Sequence, residues 1–180
     1  MNPAFPGIEA FLAPPRLETA RLVLRFFEER DLDALAAMNA DPETVRYLGE
    51  GKTFTRMESW RAIASMNGHW LLRGYGLFAV EEKSSGDTIG RVGFINPDGW
   101  PGFELGWTIA RPRWGNGFAT EAARVALDYG LGTLKRERII SLIRPANAAS
   151  IRVAEHLGFR RDSEVEMNGM PALIYANVPA

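Results

Sequence analysis

The alternation of apolar and polar positions along the chain predicts strands and helices in a mixed order. From Leu17 to Phe27, apolar residues recur with the two-residue period of a half-buried strand. Asp31 can cap a short helix that ends near Asn39, and a second helical run extends from Arg56 to Leu72. Three β-rich segments follow, over Tyr75–Lys83, Thr88–Asn96 and Gly102–Ala110. The later pattern predicts a helix over Gly117–Leu131, a strand over Arg138–Arg144, a helix over Ala148–Leu157, and strands around Val165 and Ile174.

These elements favour a single α/β domain that spans residues 1–180. The short turns SSGD and NPDGW between the three β-rich segments predict an antiparallel meander. No internal repeat or linker divides the chain. Prolines punctuate residues 1–15, which we expect to form an extended N-terminal arm.

Composition excludes several classes of site. The 21 Lys and Arg residues nearly balance the 22 Asp and Glu residues, so the net charge of −1 favours neither nucleic acid nor an anionic membrane as a partner. The absence of cysteine excludes disulfides and a catalytic thiol, and two histidines are too few for a histidine metal cluster, so no metal is expected. The N-terminus lacks the features of a signal peptide, and no stretch could span a bilayer, which together predict a cytoplasmic protein.

The segment RPRWGNGFATEA joins the strand that ends near Ala110 to the helix that begins at Gly117. Such a turn exposes backbone N–H groups that the helix dipole reinforces, and glycine at positions 115 and 117 lets an anion approach the backbone. A phosphate is the natural ligand. The alternative is that Gly115 and Gly117 only permit a tight turn. Glu121 would weakly repel an anion unless its side chain points away from the loop.

A dinucleotide fingerprint of the Gly-x-Gly-x-x-Gly type is a second interpretation of this loop. Thr120 stands where the third glycine should be, and the next strand does not end near an acidic residue. An antiparallel meander before the loop is also wrong for the first strand of a parallel sheet. This interpretation therefore ranks below the one that follows.

Three segments resemble the GNAT acetyltransferase superfamily. Trp114 to Ala119, WGNGFA, resembles its coenzyme-binding loop, with Trp114 in place of the usual Gln or Arg, as in the RimJ/RimL-like branch. Residues 15–25 are similar to the first strand of that branch. Residues 147–159 are similar to its Asn-x-x-Ser helix, which ends in Gly-Phe. The resemblance runs in the expected order from about residue 15.

The resemblance implies a GNAT fold, with a mostly antiparallel seven-stranded sheet splayed between strands 4 and 5 and flanked by about four helices. It also implies acetyl-CoA as the cosubstrate. Backbone groups of Ile109, Ala110 and Arg111 would then meet the pantetheine or the thioester. The implied pyrophosphate cradle consists of Trp114, Gly115, Asn116, Gly117, Phe118, Ala119 and Thr120. Arg111 and Arg113 could add positive charge beside it, or could simply be exposed.

Glu104 is the candidate base for deprotonating an acceptor amine. The period of Gly102–Ala110 places Glu104 on the same face as Gly106 and Thr108, on the strand that leads to the loop. An amine must lose a proton before or during its attack on a thioester. Glu104 also resembles the strand-four glutamate of the family. The alternative is an ordinary carboxylate that faces solvent. Glu164 and Glu166 are second-choice bases.

Ser150 and Asn147 are the candidates on the leaving-group side. Many GNAT enzymes have a tyrosine seven residues after the motif asparagine, but Ala154 occupies that position here. The branch suggests Ser150 as a hydrogen-bond donor to the thiolate, and the Asn147 amide as a ligand of pantetheine. Both residues could instead cap the helix that begins at Ala148.

The implied activity is N-acetyl transfer to a primary amine by direct attack in a ternary complex, without a covalent intermediate. The acceptor could be a protein N-terminus or a small-molecule amine, and Tyr47, Trp70 and Trp100 could line its slot. His69 and His156 are interpreted as structural or solvated residues. A homodimer is possible. Two rival classes are a non-catalytic acyl-CoA-binding domain and a nucleotide-dependent oxidoreductase.

Overall fold

The computed structural model describes residues 5–177 and contains an eight-stranded sheet with helices packed on both faces. The strands are β1 (Leu17–Glu18), β2 (Leu22–Arg25), β3 (Leu77–Glu82), β4 (Thr88–Ile95), β5 (Glu104–Ile109), β6 (Ile140–Ile143), β7 (Phe159–Met167) and β8 (Met170–Asn177). The helices are α1 (Ile8–Leu12), α2 (Leu32–Ala40), α3 (Pro42–Val45), α4 (Arg56–Arg73), α5 (Phe118–Gly132) and α6 (Ala148–His156). Short 3₁₀ turns lie at Glu29–Asp31 and Arg111–Arg113.

The sheet confirms the predicted α/β class and corrects the strand count. Its order is β1-β2-β3-β4-β5-β6-β8-β7, and every neighbouring pair is antiparallel except β5 and β6. The predicted first strand is two strands, because the chain turns sharply at Thr19, whose hydroxyl accepts the N–H of Leu22. The described part of the chain therefore contains eight strands where seven were predicted. The predicted splay between strands 4 and 5 falls between β5 and β6.

The sequence pattern missed two short helices. Residues 8–12, inside the arm predicted to be extended, form α1, which the bond from the Gly7 N–H to the Leu71 carbonyl ties to α4. The other is α3, which begins with a proline and is capped by the Asp41 side chain. Each is too short for an amphipathic period to be visible, so residues 5–177 contain six α-helices where about four were expected. Residues 1–4 of the arm lie outside the described residues.

Alternate residues of the central strands pack against different helices. Phe78 and Val80 of β3 belong to the main core beneath α5, together with the α5 residues Ala122 and Ala126. Ala79, which points to the opposite face, packs with residues of α2 and α4. The helical cover predicted after the first strand thus lies on one face of the sheet, and α5 lies on the other.

A buried ion pair fixes the start of α2 against the sheet. The Arg25 guanidinium donates to both carboxylate oxygens of Asp31 at 2.8 Å and to Glu81 at 2.8 Å. Asp31 also accepts bonds from the Thr88 hydroxyl and the Glu28 N–H. Burial would raise the pKa of Asp31, but these bonds outweigh it and the pKa is lowered. A fully bonded pair of this kind is costly to break from one side.

Candidate functional site

The sheet opens between β5 and β6 soon after the two strands meet. Glu104 opposite Ile140 is the single register position at which they pair. Side chains bridge the next positions: the Ser141 hydroxyl donates to the Leu105 carbonyl at 2.7 Å, and the Leu142 N–H donates to Glu104 Oε1 at 3.3 Å. Beyond this point the strands diverge.

Two cavities lie along the divergence. The larger, of about 590 Å³, extends over the glycine loop and the start of α6, and the smaller, of about 330 Å³, lies over the Glu104 side of β5. Both volumes suit small-molecule ligands. The residues that line both cavities are Tyr47, Leu48, Trp107, Thr108, Asn147 and Ser150. The site can therefore hold two ligands that meet at this shared wall.

The glycine loop presents a row of free backbone donors to the larger cavity. Gly115 and Gly117 have φ values of 78° and 79°, in the left-handed region that favours glycine. A Cβ built on Gly115 would have no neighbouring atom within 4 Å. The first bond of α5 runs from the Glu121 N–H to the Gly117 carbonyl, and within residues 5–177 the N–H groups of 115–120 donate to no protein acceptor. This arrangement fits an anion such as a pyrophosphate.

Glu121 does not oppose that anion, because its carboxylate is turned toward the β1–β2 connection. It accepts the Arg21 side chain at 2.7 Å and the Arg21 N–H at 3.2 Å, and the Thr19 hydroxyl also donates to it. The guanidinium of Arg21 lies 4.4 Å from the centre of the Phe118 ring. The negative charge of Glu121 is thus paired with a cation that sits beside the loop.

Trp114, the departure from the usual loop motif, folds back onto the end of β5. Its indole N–H donates to the Ile109 carbonyl at 2.6 Å, and the half-exposed ring lines the larger cavity. The indole thus forms a wall of the cavity beside the loop, and residues 115 and 117–120 of the loop line the same cavity. The bond to Ile109 joins residues on two different elements and was not predicted from the sequence.

The structure separates the remaining predicted coenzyme residues into two groups. Ile109, Phe118, Ala119, Thr120 and Asn147 line the larger cavity together with both loop glycines and Trp114. The side chains of Ala110, Arg111 and Asn116 do not: Ala110 packs with the α2–α4 cluster, Arg111 pairs with Asp41 at 3.1 Å, and the Asn116 amide donates to two loop carbonyls. Any coenzyme contact by these three must come from the backbone. Arg113 lines the cavity but pairs with Glu82 at 3.0 Å.

Glu104 is buried, which overturns the alternative of a solvent-facing carboxylate. Its residue exposure is 7%, and burial raises its pKa to about 7, although the bonds from Trp100 and the Leu142 N–H partly oppose that rise. A Cβ built on Gly106 would find only Glu104 Oε1, 3.9 Å away, within 4 Å. The carboxylate therefore stands beside open space on the floor of the smaller cavity, and it exchanges protons near neutral pH.

Asn147 and Ser150 combine a structural bond with a free polar group. Asn147 Oδ1 accepts the Ser150 N–H at 3.2 Å and so caps α6. Among residues 5–177 the Ser150 hydroxyl and the Asn147 NH₂ donate to no protein acceptor, and both residues line both cavities. Ala154, where a tyrosine is common, is fully buried and carries no acid.

Other predicted acceptor-site residues have mixed outcomes. Tyr47 lines both cavities. Trp70 does not line a slot: it is fully buried, donates its indole N–H to the Leu77 carbonyl and packs on Phe78, so this prediction was wrong. Trp100 instead contacts Glu104 directly. His156 lines the larger cavity, and His69 donates a hydrogen bond from Nδ1 to the Tyr75 carbonyl.

The two second-choice bases lie away from both cavities. Glu164 is exposed on β7 and pairs with Arg161, and Glu166 is exposed on the same strand. Neither lines a cavity.

Sequence reasoning also missed Arg91 and Arg144, both of which line the smaller cavity. One signal was available for Arg91, since it is the only charged residue in the apolar strand segment TIGRVGFI. Arg144 follows a strand directly and gave no comparable signal.

The described part of the chain contains neither a metal-binding cluster nor a membrane-spanning helix. Across residues 5–177, no group of three His, Asp or Glu side chains is placed to hold a metal ion. No helix in the same range combines the length and the apolar character needed to cross a membrane.

Comparisons with known proteins agree with this geometry. The model of the acetyltransferase (GNAT) domain matches residues 21–160. An uncharacterised N-acetyltransferase of Bacillus licheniformis, p20, is 34% identical over 148 residues, which cover 81% of this chain and 83% of that protein. The crystal structure of an acetyltransferase from Agrobacterium tumefaciens superimposes with a TM-score of 0.80 at 28% identity, covering 91% of this chain and 94% of the other. RimL, a ribosomal L7/L12 α-N-protein acetyltransferase in complex with coenzyme A, shares the fold with a TM-score of 0.76 at 17% identity, covering 92% of this chain and 98% of RimL.

Proposed function

Because the chain belongs to the GNAT acetyltransferase family and is an N-acetyltransferase, we propose that it transfers the acetyl group of acetyl-CoA to a primary amine, with Glu104 as the base. The observation that carries this proposal is the buried Glu104 carboxylate, with a pKa of about 7, beside the open floor at Gly106. A base with this pKa accepts a proton at neutral pH without being permanently protonated.

The coenzyme occupies the larger cavity in this proposal. The N–H groups of residues 115–120 bind its pyrophosphate, and the Asn147 amide and the open edge of β5 bind its pantetheine arm. The alternating direction of backbone groups along β5 supports the contact between its open edge and the pantetheine arm. The carbonyls of Phe103, Leu105 and Ile109 all face the β6 side, so the backbone groups of Trp107 face the gap as well.

The amine attacks the thioester carbonyl from the smaller cavity. Its nitrogen forms the new C–N bond, its proton passes to Glu104, and the C–S bond breaks to release the thiolate of coenzyme A. The Ser150 hydroxyl, which lines both cavities, donates a hydrogen bond to that thiolate as it leaves. No enzyme nucleophile takes part, since the chain has no cysteine and, among residues 5–177, no base is bonded to the Ser150 hydroxyl.

Glu104→Gln tests the base directly. We expect turnover, measured by thiol release with a panel of amines, to fall about 10²- to 10⁴-fold, while the rise in melting temperature caused by acetyl-CoA stays the same. Glu164→Gln, on exposed β7, is the matched control and should leave both quantities unchanged. Undiminished turnover in Glu104→Gln would reject Glu104 as the base. Coenzyme stabilisation of the wild type without thiol release from any amine would instead indicate a non-catalytic acyl-CoA-binding protein.

Ser150→Ala tests the leaving-group side. The lost hydrogen bond should lower kcat by about tenfold or more and leave the KM of the amine unchanged. Because Asn147 caps α6 through the backbone N–H of residue 150, the substitution should not weaken the helix. If acetyl transfer is shown to be the rate-limiting step and kcat is still unchanged in Ser150→Ala, Ser150 takes no part in the mechanism.

A further inference from the structure

The smaller cavity contains an arginine for which the protein provides no partner. Arg91 lies on β4 and lines the cavity that also holds Glu104. Among residues 5–177 its guanidinium makes no hydrogen bond and has no carboxylate within 4.0 Å, whereas buried Arg25 on β2 has two. A half-buried guanidinium that lines a cavity without a carboxylate partner attracts an anion to that cavity.

The strand register places Arg91 and Glu104 on one face of the sheet, at opposite ends of the cavity floor. Arg91 is opposite Thr108 on β5, so the two side chains share a face with Gly106 and Glu104. Thr108 lies four residue steps from Glu104 along β5, which spans about 13 Å. Between them lies Gly106, over which the floor is open. The cation and the base thus flank one space.

The charge of the cavity lining favours an anion. Arg144, the second lining arginine, donates to the carbonyls of Gly49, Met170 and Pro171 and has no carboxylate within 4.0 Å among the described residues. Glu104 is the one acidic residue in the lining, and with a pKa of about 7 it is partly neutral at physiological pH. Burial alone lowers the pKa of Arg91, to about 10, so it keeps its charge at that pH.

We infer that the acceptor is a small amine that carries its own carboxylate, which pairs with Arg91 while its nitrogen faces Glu104. A carboxylate matches the guanidinium in a two-pronged hydrogen-bonded geometry. The cavity volume of about 330 Å³ lies at the small end of ligand sites and fits a compact amino acid. Polyamines and aminoglycosides, which are small-molecule amines without a carboxylate, would add positive charge to a lining that already holds two arginines with no carboxylate within 4.0 Å among the described residues. The inference rests on the proposed function for the position of the nitrogen.

The test compares amino acids with their carboxamides. The probes are a set of α-amino acids together with β-alanine and γ-aminobutyrate, each paired with its amide, and binding to the complex of the protein with coenzyme A is measured by calorimetry. We expect at least one acid to bind about tenfold or more tightly than its amide, since a charged hydrogen-bonded pair is lost in the amide. Arg91→Gln should abolish this preference, and Arg91→Lys should retain part of it. Arg160→Gln, on exposed β7, is the matched control.

The outcomes separate this inference from the proposed function. If no acid binds, or if acids and amides bind equally well to the wild type, the inference is overturned, whether or not Arg91→Gln folds. Selective binding of an acid without thiol release would uphold the anion site and reject the proposed acetyl transfer to that amine. Efficient acetylation of spermidine or kanamycin, with acids and amides equally poor, would uphold the transfer and overturn the carboxylate site.

Discussion

Trp100 donates its indole N–H to the Glu104 carboxylate, with 2.6 Å between Nε1 and Oε2. This bond favours the ionised carboxylate and so opposes the rise in pKa that burial causes. The tryptophan thus keeps the pKa of the proposed base lower than burial alone would make it.

Trp100→Phe should move the pH dependence of catalysis. Loss of the bond raises the pKa of Glu104 above about 7, so a higher pH is needed to ionise the base. The acidic limb of the kcat/KM profile should shift to higher pH by about one unit. Trp60→Phe, an exposed tryptophan of α4, provides the control and should leave the profile in place. If the profile shifts to lower pH or does not shift, ionisation of Glu104 is not the cause of the acidic limb.

Glu104 should also make the stability of the protein depend on pH. The folded-state pKa of about 7 lies above the ordinary value of 4.5, so the folded state binds the proton more tightly. The contribution of protonated Glu104 to the free energy of unfolding is therefore complete below pH 4.5. It is lost as the pH rises through about 7, a change of up to about 3 kcal/mol.

Glu104→Gln should remove that dependence. Urea denaturation at pH 5 and at pH 8 gives the free energy of unfolding of both proteins. The value for the variant minus the value for the wild type should be higher at pH 8 than at pH 5. Gln also loses one hydrogen bond at all pH values, so the difference between the two pH values is the informative quantity. For Glu164→Gln, the difference in unfolding free energy from the wild type should be the same at both pH values. If the difference for Glu104→Gln is also the same at both, the pKa of Glu104 is not raised.

Gly117→Ala should weaken coenzyme binding more than it weakens the fold. Alanine at a φ of 79° is strained by about 1 kcal/mol, and a methyl group on the loop holds the pyrophosphate away from the N–H groups. The matched control is Gly86→Ala, at a φ of 75° in an exposed turn with open space around it. Both variants should lose similar stability, but only Gly117→Ala should lose most of the thermal shift caused by acetyl-CoA. Equal shifts in the two variants would place the pyrophosphate elsewhere.

Asp31→Asn should destabilise the fold without altering the site. The variant leaves Arg25 buried with one of its ion-pair partners neutral, which should cost about 3 kcal/mol in urea unfolding. The affinity of the folded protein for acetyl-CoA should not change. Asp33→Asn, at an exposed position, should leave the melting temperature nearly unaltered.

The α/β class and the glycine loop were predictable from local patterns in the sequence, whereas the GNAT fold and the proposed coenzyme cradle were implied by the family resemblance. The period of two in β5 placed Glu104, and the paired glycines placed the loop. The failures involve contacts between distant residues. Trp70 is an aromatic residue of the kind that often lines a ligand slot. It is buried because its side chain bonds to β3 and packs against Phe26. The solitary state of Arg91 is likewise visible only once every neighbouring strand and helix is in place.

The bond between Trp114 and Ile109 has a consequence for solubility. An unpaired strand edge inside a sheet can recruit a strand from another molecule, and the divergence of β5 from β6 creates such an edge. The Ile109 carbonyl is occupied by the indole at one end, and the Leu105 carbonyl by the Ser141 hydroxyl at the other. Between them the backbone groups of Trp107 and the N–H of Ile109 are left open, too short a stretch to template an intruding strand. The bonds of Trp114 and Ser141 to β5 therefore leave space for a narrow ligand and also limit strand pairing with another molecule at the open edge.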